Sequence, residues 1–291
     1  MKNFNQKWLY LFVLSLIWGS SFILIKKALI GLTPYQLGAL RTIITGLFLF
    51  VVGFKSLKNI QKSDWKWVVV SGFLGSFIPA FLFAIAETEI DSAVASMLNS
   101  LTPLNTILFG AAIFKLTSTK RQVLGVVIGF LGTSMLILKG ADLNPHQNYL
   151  YAGFVLLATV CYAINVNVIK RYLQHVKPLA IATGNYAAIF FPAMIILCFS
   201  GFFSDATFSH PDFIMSMVYI TTLAFFGTAL AKVLFNRLIQ MSTAVFASSV
   251  TYIITIVALF WGVLDGESFS IIQVLACVII LIGVYLSQKR V

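Results

Sequence analysis

The sequence predicts an all-α integral membrane protein: ten transmembrane helices arranged as two inverted five-helix repeats. Three observations carry that prediction. Of its 291 residues, 59% are hydrophobic and only 10% charged, which lies outside the range of soluble globular chains. Apolar runs of about 20 residues, the length that crosses about 30 Å of hydrocarbon, follow one another with short polar gaps. The two halves of the chain also echo each other in register.

The runs lie near 8–27, 35–54, 66–87, 91–114, 122–139, 151–169, 179–203, 213–235, 242–263 and 271–288. The first is too long and too polar at its far end, Lys26-Lys27, to be a cleavable signal peptide, so it is expected to be a retained helix. The second carries Arg41, the one charge clearly inside a span, and the third ends at Glu87. The fourth bears a stripe of small and polar residues (Ser92, Ser96, Asn99, Pro103, Thr106 and Gly110) at helical spacing. The fifth and tenth contain Gly125, Gly129, Gly132 and Gly283, small residues able to pack within the fold or between subunits, so a homo-oligomer stays open. The sixth offers Tyr162, Asn165 and Asn167, and the seventh Asn185 and Tyr186. The eighth holds Lys232 near its inner end, and the ninth Ser248, Thr251, Tyr252 and Thr255. Pro79, Pro103 and Pro192 lie inside spans, where each removes a backbone donor and invites a kink.

A net charge of +11 would point to nucleic acid in a soluble chain, but the placement of the charges gives it another meaning. With the N-terminus in the cytoplasm and ten crossings, only Lys26, Lys27 and Lys139 among the basic loop residues fall outside, and Asp64 is the one acid inside. That is the positive-inside bias, and it predicts a multi-pass membrane protein with both termini cytoplasmic. Trp8, Trp65 and Trp67 then stand at the cytoplasmic boundary, and Lys232 is expected to snorkel toward it.

One fixed shift lays Ile25, Lys26, Leu29 and Pro34 on Ile169, Lys170, Leu173 and Pro178. A second lays Gln122, Val123, Leu124 and Gly132 on Gln273, Val274, Leu275 and Gly283. Residues 1–144 and 145–291 thus read as two copies of one five-helix unit. An odd number of crossings inverts the second copy, and inverted repeats around a shared site are the architecture of alternating-access carriers.

The segments "LIWGSSF" at 16–22, "GALRTI" at 38–43, "SLTPLNTILFGAAIF" at 100–114 and "GVLDGESFSIIQVLACVIILIGVYL" at 262–286 resemble the ten-helix EamA-domain branch of the drug/metabolite transporter superfamily. The resemblance implies a five-plus-five inverted-repeat fold, a central cavity, and export or exchange of small metabolites, amino acids prominently. Bacterial origin, and with it a place in the cell (inner) membrane, is implied in the same way. Two departures stand out: Leu116 occupies the first-half position of Glu267, and Ile254 the second-half position of Pro103.

Polar side chains are costly toward lipid, so those inside spans are expected to face a bundle interior or a wet cavity. Candidate substrate-binding residues are Trp18, Ser21, Arg41, Asn99, Tyr162, Asn165, Asn185, Tyr186, Ser248 and Tyr252. Arg41 and Glu87 both fall in the outer third of the membrane and are expected to pair. Two readings stay open there: a structural tie between the second and third helices, or a gate or coupling element that meets a substrate carboxylate. For the serines and threonines, simple close packing competes with cavity lining.

An intramembrane enzyme is disfavoured, because the chain lacks HExxH and paired intramembrane aspartates, and His146, His175 and His210 fall in expected loops. Cys161, Cys198 and Cys277 show no metal or disulfide spacing and read as buried small hydrophobes. No cofactor is expected; the partners are a small-molecule substrate and membrane lipid. A channel and a carrier for lipophilic drugs remain as alternatives.

Overall fold

The computed structural model describes residues 2–143, 148–265 and 271–288. Among these the regular structure is helical, with no strand. In chain order the helices are α1 (Lys2–Ala28), α2 (Pro34–Gly53), α3 (Trp65–Gly72), α4 (Ile78–Ala86), α5 (Ser92–Asn99), α6 (Thr102–Ala112), α7 (Lys120–Leu143) and α8 (Ala152–Tyr172). Then follow α9 (Pro178–Phe199), α10 (Asp205–Phe208), α11 (Phe213–Thr222), α12 (Ala231–Met241), α13 (Ala244–Ser248), α14 (Val250–Leu264) and α15 (Ile271–Gln288).

Seven helical stretches are long and apolar enough to cross a bilayer: Gln6–Ala28, Pro34–Asn59, Trp65–Ala86, Ala152–Tyr172, Pro178–Phe199, Phe213–Met241 and Ala244–Leu264. The runs expected as the fourth, fifth and tenth spans are also helical, as α5 with α6, α7 and α15. Glu267, His146, Lys289 and Arg290 lie outside the described residues, as do the side chains of Lys139 and Cys277.

Two of the long stretches are not uniformly α-helical. Phe73–Phe77 joins α3 to α4, and Leu223–Leu230 joins α11 to α12, each as a wider π-helical segment. Such segments leave the regular i→i−4 ladder and recur at functional sites. The prolines sit with these interruptions: Pro79 opens α4 directly after the first π segment, and Pro103 opens α6 after the break at Ser100-Leu101. Pro192 lies inside an unbroken α9.

Helix starts follow side-chain chemistry. Thr33 Oγ accepts from Gln36 N (3.3 Å) while Gln36 Oε1 accepts from Thr33 N (3.0 Å), a capping box that opens α2 ahead of Pro34. Thr119 and Gln122 make the same reciprocal pair before α7.

Packing is inside-out relative to a soluble protein. Thr45, Asn165, Asn167, Asn185 and Asn236 are buried, whereas Val51, Phe191, Phe199 and Ile214 are exposed. Lipid is as apolar as the core, so the helices associate through shape and hydrogen bonds. Gly283 of α15 shows this most directly: a Cβ there would stand 2.5 Å from Gly129 N and 2.7 Å from Gly125 O of α7. These small residues are therefore used within the fold. Cys161 is buried as expected, but Cys198 is exposed, because it shares the outward stripe of α9 with Ile195 and Phe199.

Polar ties gather at two ends of the bundle. At one, Asp265 accepts from Lys27 Nζ (2.7 Å) and Lys26 Nζ (3.3 Å), while Asp91 lies 3.9 Å from Lys26. The Lys27 and Lys26 ammonium groups hold the Asp265 carboxyl below the ordinary carboxylate range. At the other, Lys170 Nζ donates to the carbonyls of Ser242 (2.6 Å) and Ile239 (3.2 Å), and Gln240 donates to those of Val176 (2.7 Å) and Leu173 (3.1 Å). His175 Nε2 meets Asp64 Oδ2 nearby at 2.8 Å.

Candidate functional site

A cavity of about 100 Å³ lies between these ends, lined by residues from α1, α2, α4, α5, α6, α8, α9, both π segments, α12, α13 and α14. That is room for several waters. Eight of the ten sequence candidates line it: Trp18, Ser21, Arg41, Asn99, Tyr162, Asn165, Tyr186 and Ser248.

The π segments shape its wall. Each presents a glycine carbonyl to a cavity-lining donor: Lys232 Nζ donates to Gly75 O at 2.9 Å, and Trp18 Nε1 donates to Gly227 O at 2.8 Å. Irregular backbone at membrane depth is tolerated where it lines a cavity or is buried in protein. Both glycines are places of close approach. A Cβ on Gly75 would lie 2.4 Å from Asn165 Nδ2 and 2.6 Å from Lys232 Nζ, and one on Gly227 would lie 2.7 Å from Ser21 Oγ. Asn165 is held in turn by Ser71 Oγ, which donates to its Oδ1 at 2.7 Å.

Aromatic pairs stand around the polar wall. Phe22 and Phe83 meet edge-on at 5.6 Å, Phe83 stacks on Tyr162 at 6.0 Å, and Trp18 meets Phe235 edge-on at 4.8 Å. The cavity thus offers apolar faces between hydrogen-bonding groups, the usual composition of a small-molecule site.

Three expectations need correction. Asn185 does not line the cavity: its Nδ2 donates to Val68 O at 2.6 Å, in the close contact between α9 and Gly72 of α3. Tyr252 is fully buried elsewhere, with its hydroxyl donating to Val126 O at 3.3 Å and its ring over Gly129. Successive helical residues point about 100° apart, so where Tyr186 and Thr251 face the cavity, their neighbours Asn185 and Tyr252 face a packing partner.

The second correction concerns Lys232, which does not snorkel. It is only 5% exposed, and it lines the cavity because the π segment preceding α12 turns its side chain toward Gly75. The third concerns Arg41 and Glu87, which do not pair. Arg41 Nε donates to Thr228 Oγ1 at 2.9 Å, and among the described residues no carboxylate lies within ion-pair distance of it. Glu87 is buried beyond the cavity lining, with neither carboxyl oxygen hydrogen-bonded. Thr228 Oγ1 in turn donates to Leu223 O at 3.0 Å, which holds it toward Arg41.

Ser76, Thr102 and Thr228 were not singled out from the sequence, yet all three line the cavity. The glycine beside two of them, Gly75-Ser76 and Gly227-Thr228, is the local signal that marks both segments. The small stripe of the fourth run divides: Asn99 faces the cavity, whereas Ser96 O accepts from Thr255 Oγ1 and Gly110 packs on Asn167.

Comparison with known proteins follows the same pattern over nearly the whole chain. The profile of the EamA-like transporter family matches residues 6–138 and again residues 150–288. An uncharacterized transporter of Archaeoglobus fulgidus is 25% identical over 289 residues, 98% of this chain and 99% of that protein. The uncharacterized inner membrane transporter YedA of Escherichia coli K12 is 24% identical, covering 95% of this chain and 88% of the relative. A protein of Salmonella typhimurium described as a probable amino-acid metabolite efflux pump is 23% identical, covering 93% and 91%. One solved crystal structure superposes with a TM-score of 0.72 at 18% identity, covering 96% of this chain and 94% of that one, a likeness of fold.

Proposed function

Since the chain belongs to the EamA-like transporter family, we propose that it is a secondary carrier of small metabolites, with amino acids the first class to test, working by alternating access in export or exchange. Its ten spans form two inverted five-helix repeats, residues 1–144 and 145–291. The observation that carries this reading is the central cavity: its polar wall draws equally on both halves, from Ser21 and Arg41 on one side to Asn165 and Thr228 on the other.

The repeat reading has further support. The family profile matches twice, and the π segments fall at corresponding places in the third and eighth runs. The fourth and ninth runs each divide into a short and a long helix, α5 with α6 and α13 with α14. Sidedness follows from the basic inner loops: the Lys170 end is cytoplasmic and the Lys26 end faces out. The inner-membrane description of the Escherichia coli relative fits a cell-membrane location.

In this reading Trp18, Ser21, Arg41, Asn99, Tyr162, Asn165, Tyr186 and Ser248 contact substrate. Arg41, tied to Thr228 across the two halves, is a gate that releases when substrate competes for its guanidinium. Glu87, buried without a partner, is the coupling group. A carboxylate held this way is stable only when it is protonated or meets a cation, which suits a group that alternates between those states.

The test is counterflow in proteoliposomes, preloaded with one unlabelled compound and offered its labelled form, across amino acids, nucleosides and sugars. Saturable accumulation is expected. Silence from folded, correctly inserted protein across the panel would refute the carrier reading.

A further inference from the structure

We propose that the substrate of this cavity is a small organic anion whose negative charges outnumber its positive ones, a short dicarboxylate or an acidic amino acid rather than a neutral zwitterion. The inference rests on the carrier reading above and narrows its substrate class.

The cavity is lined by two basic side chains, Arg41 and Lys232, and, among the described residues, by no Asp or Glu. The protein acceptors of both cations are neutral: Thr228 Oγ1 for Arg41 and Gly75 O for Lys232. A guanidinium carries five N–H donors and an ammonium three, so most of this donor capacity is unused by the protein. Glu87 makes no hydrogen bond to either of them, since neither of its oxygens has a partner, and it does not reach the lining.

Buried cations at membrane depth are normally paired or functional. Here the compensating charge has to come from the ligand. A neutral amino acid brings a single carboxylate, which meets one basic group and leaves the other without a counter-charge. A dianion satisfies both cations and leaves nothing unpaired.

Geometry points the same way. Arg41 and Lys232 line one cavity of about 100 Å³, and Lys232 follows Thr228, the partner of Arg41, by four residues. A cavity of that size admits a short aliphatic chain with a carboxylate at each end. The chain itself has Phe22, Ile25, Phe83 and Val166 to lie against. Arg41 comes from the first half and Lys232 from the second, so one dianion bridges the two bodies that have to move together.

Glutamate and glutamine form the deciding pair, since they share shape and differ by one charge. The experiment measures counterflow of labelled glutarate, glutamate, glutamine and leucine by the full chain in proteoliposomes, and the thermal melting of detergent-purified protein with each compound. Glutarate and glutamate are expected to exchange and to raise the melting temperature, with glutamine and leucine at least tenfold weaker. Lys232→Gln is expected to raise the half-saturation for glutarate about ten- to hundredfold, the loss of one charge-assisted bond. It should raise that for glutamine far less, a selectivity shift that a merely structural lysine would not produce. Lys232→Arg, which keeps the charge, covers the case in which Lys232→Gln does not fold.

Exchange of leucine or glutamine that excess glutarate fails to compete would overturn the anion inference and leave the carrier standing. Stabilisation by glutarate without any counterflow would support the anion site and sink the carrier reading. Absence of both responses in folded protein overturns both.

Discussion

Replacing Gly75 by alanine tests whether the first π segment is part of the site. The added methyl carbon would lie 2.4 Å from Asn165 Nδ2, 2.5 Å from Asn165 Cγ and 2.6 Å from Lys232 Nζ, so a shift of roughly 1 Å is needed to restore ordinary contact. Lys232 can yield, because its ammonium ends a flexible stem, but doing so breaks its bond to Gly75 O. Asn165 yields less easily, being 1% exposed and fixed by Ser71. Losing a charged hydrogen bond costs about 1.5–3 kcal/mol, and overpacking adds about 1–3 kcal/mol. Alanine returns at most about 1 kcal/mol through its better helix propensity. The clash therefore dominates.

The expected outcome of Gly75→Ala is a transport half-saturation raised about ten- to hundredfold, with protein still folded and monodisperse. Gly153→Ala, in the first turn of α8 with nothing within 4 Å of the new methyl, is the matched control and should transport normally. Wild-type kinetics from Gly75→Ala would refute the reasoning, because a site that contained the Lys232 and Asn165 tips could not ignore their displacement.

Gly283→Ala should destabilise far more than Gly75→Ala, since its methyl meets the backbone of α7 rather than side-chain tips; melting of the purified protein checks this, and an unchanged melting temperature would contradict the close α7–α15 approach. Arg41→Lys is expected to impair transport at least tenfold, because an ammonium does not reproduce the guanidinium's bond to Thr228 together with a second contact; untouched kinetics for every substrate would end the gate reading. Glu87→Gln should preserve counterflow but abolish uptake driven by a pH gradient, and since it removes a buried ionisable group without a partner, stability should hold or rise. Retained gradient-driven uptake would remove Glu87 from coupling. The Asp265 tie is expected to contribute stability above the ordinary carboxylate range and to lose it as pH falls through its lowered native value, a loss that Asp265→Asn should erase from the melting profile against pH. The effect is small and fades with salt, because these side chains are about a quarter to a third exposed.

Composition and run length by themselves determined that this chain lives in a bilayer, because a helix of about 20 apolar residues has no better solvent than hydrocarbon. The sequence also picked out polar residues inside the apolar runs as candidates, and most of those line one cavity: Trp18, Ser21, Arg41, Asn99, Tyr162, Asn165, Tyr186 and Ser248. Only the tertiary structure decided which way each helix is turned. Asn185 and Tyr186 are equally polar neighbours, as are Thr251 and Tyr252, yet one of each pair faces the cavity and the other a packing partner. In lipid both faces of a helix are apolar, so its own hydrophobic pattern does not fix its rotation; close contacts such as Gly72 on Asn185 and Gly129 on Tyr252 do. The inward turn of Lys232 and the capture of Arg41 by Thr228 have the same origin. Both depend on a π segment in one helix meeting a side chain or carbonyl from another, and that meeting exists only after the helices have packed.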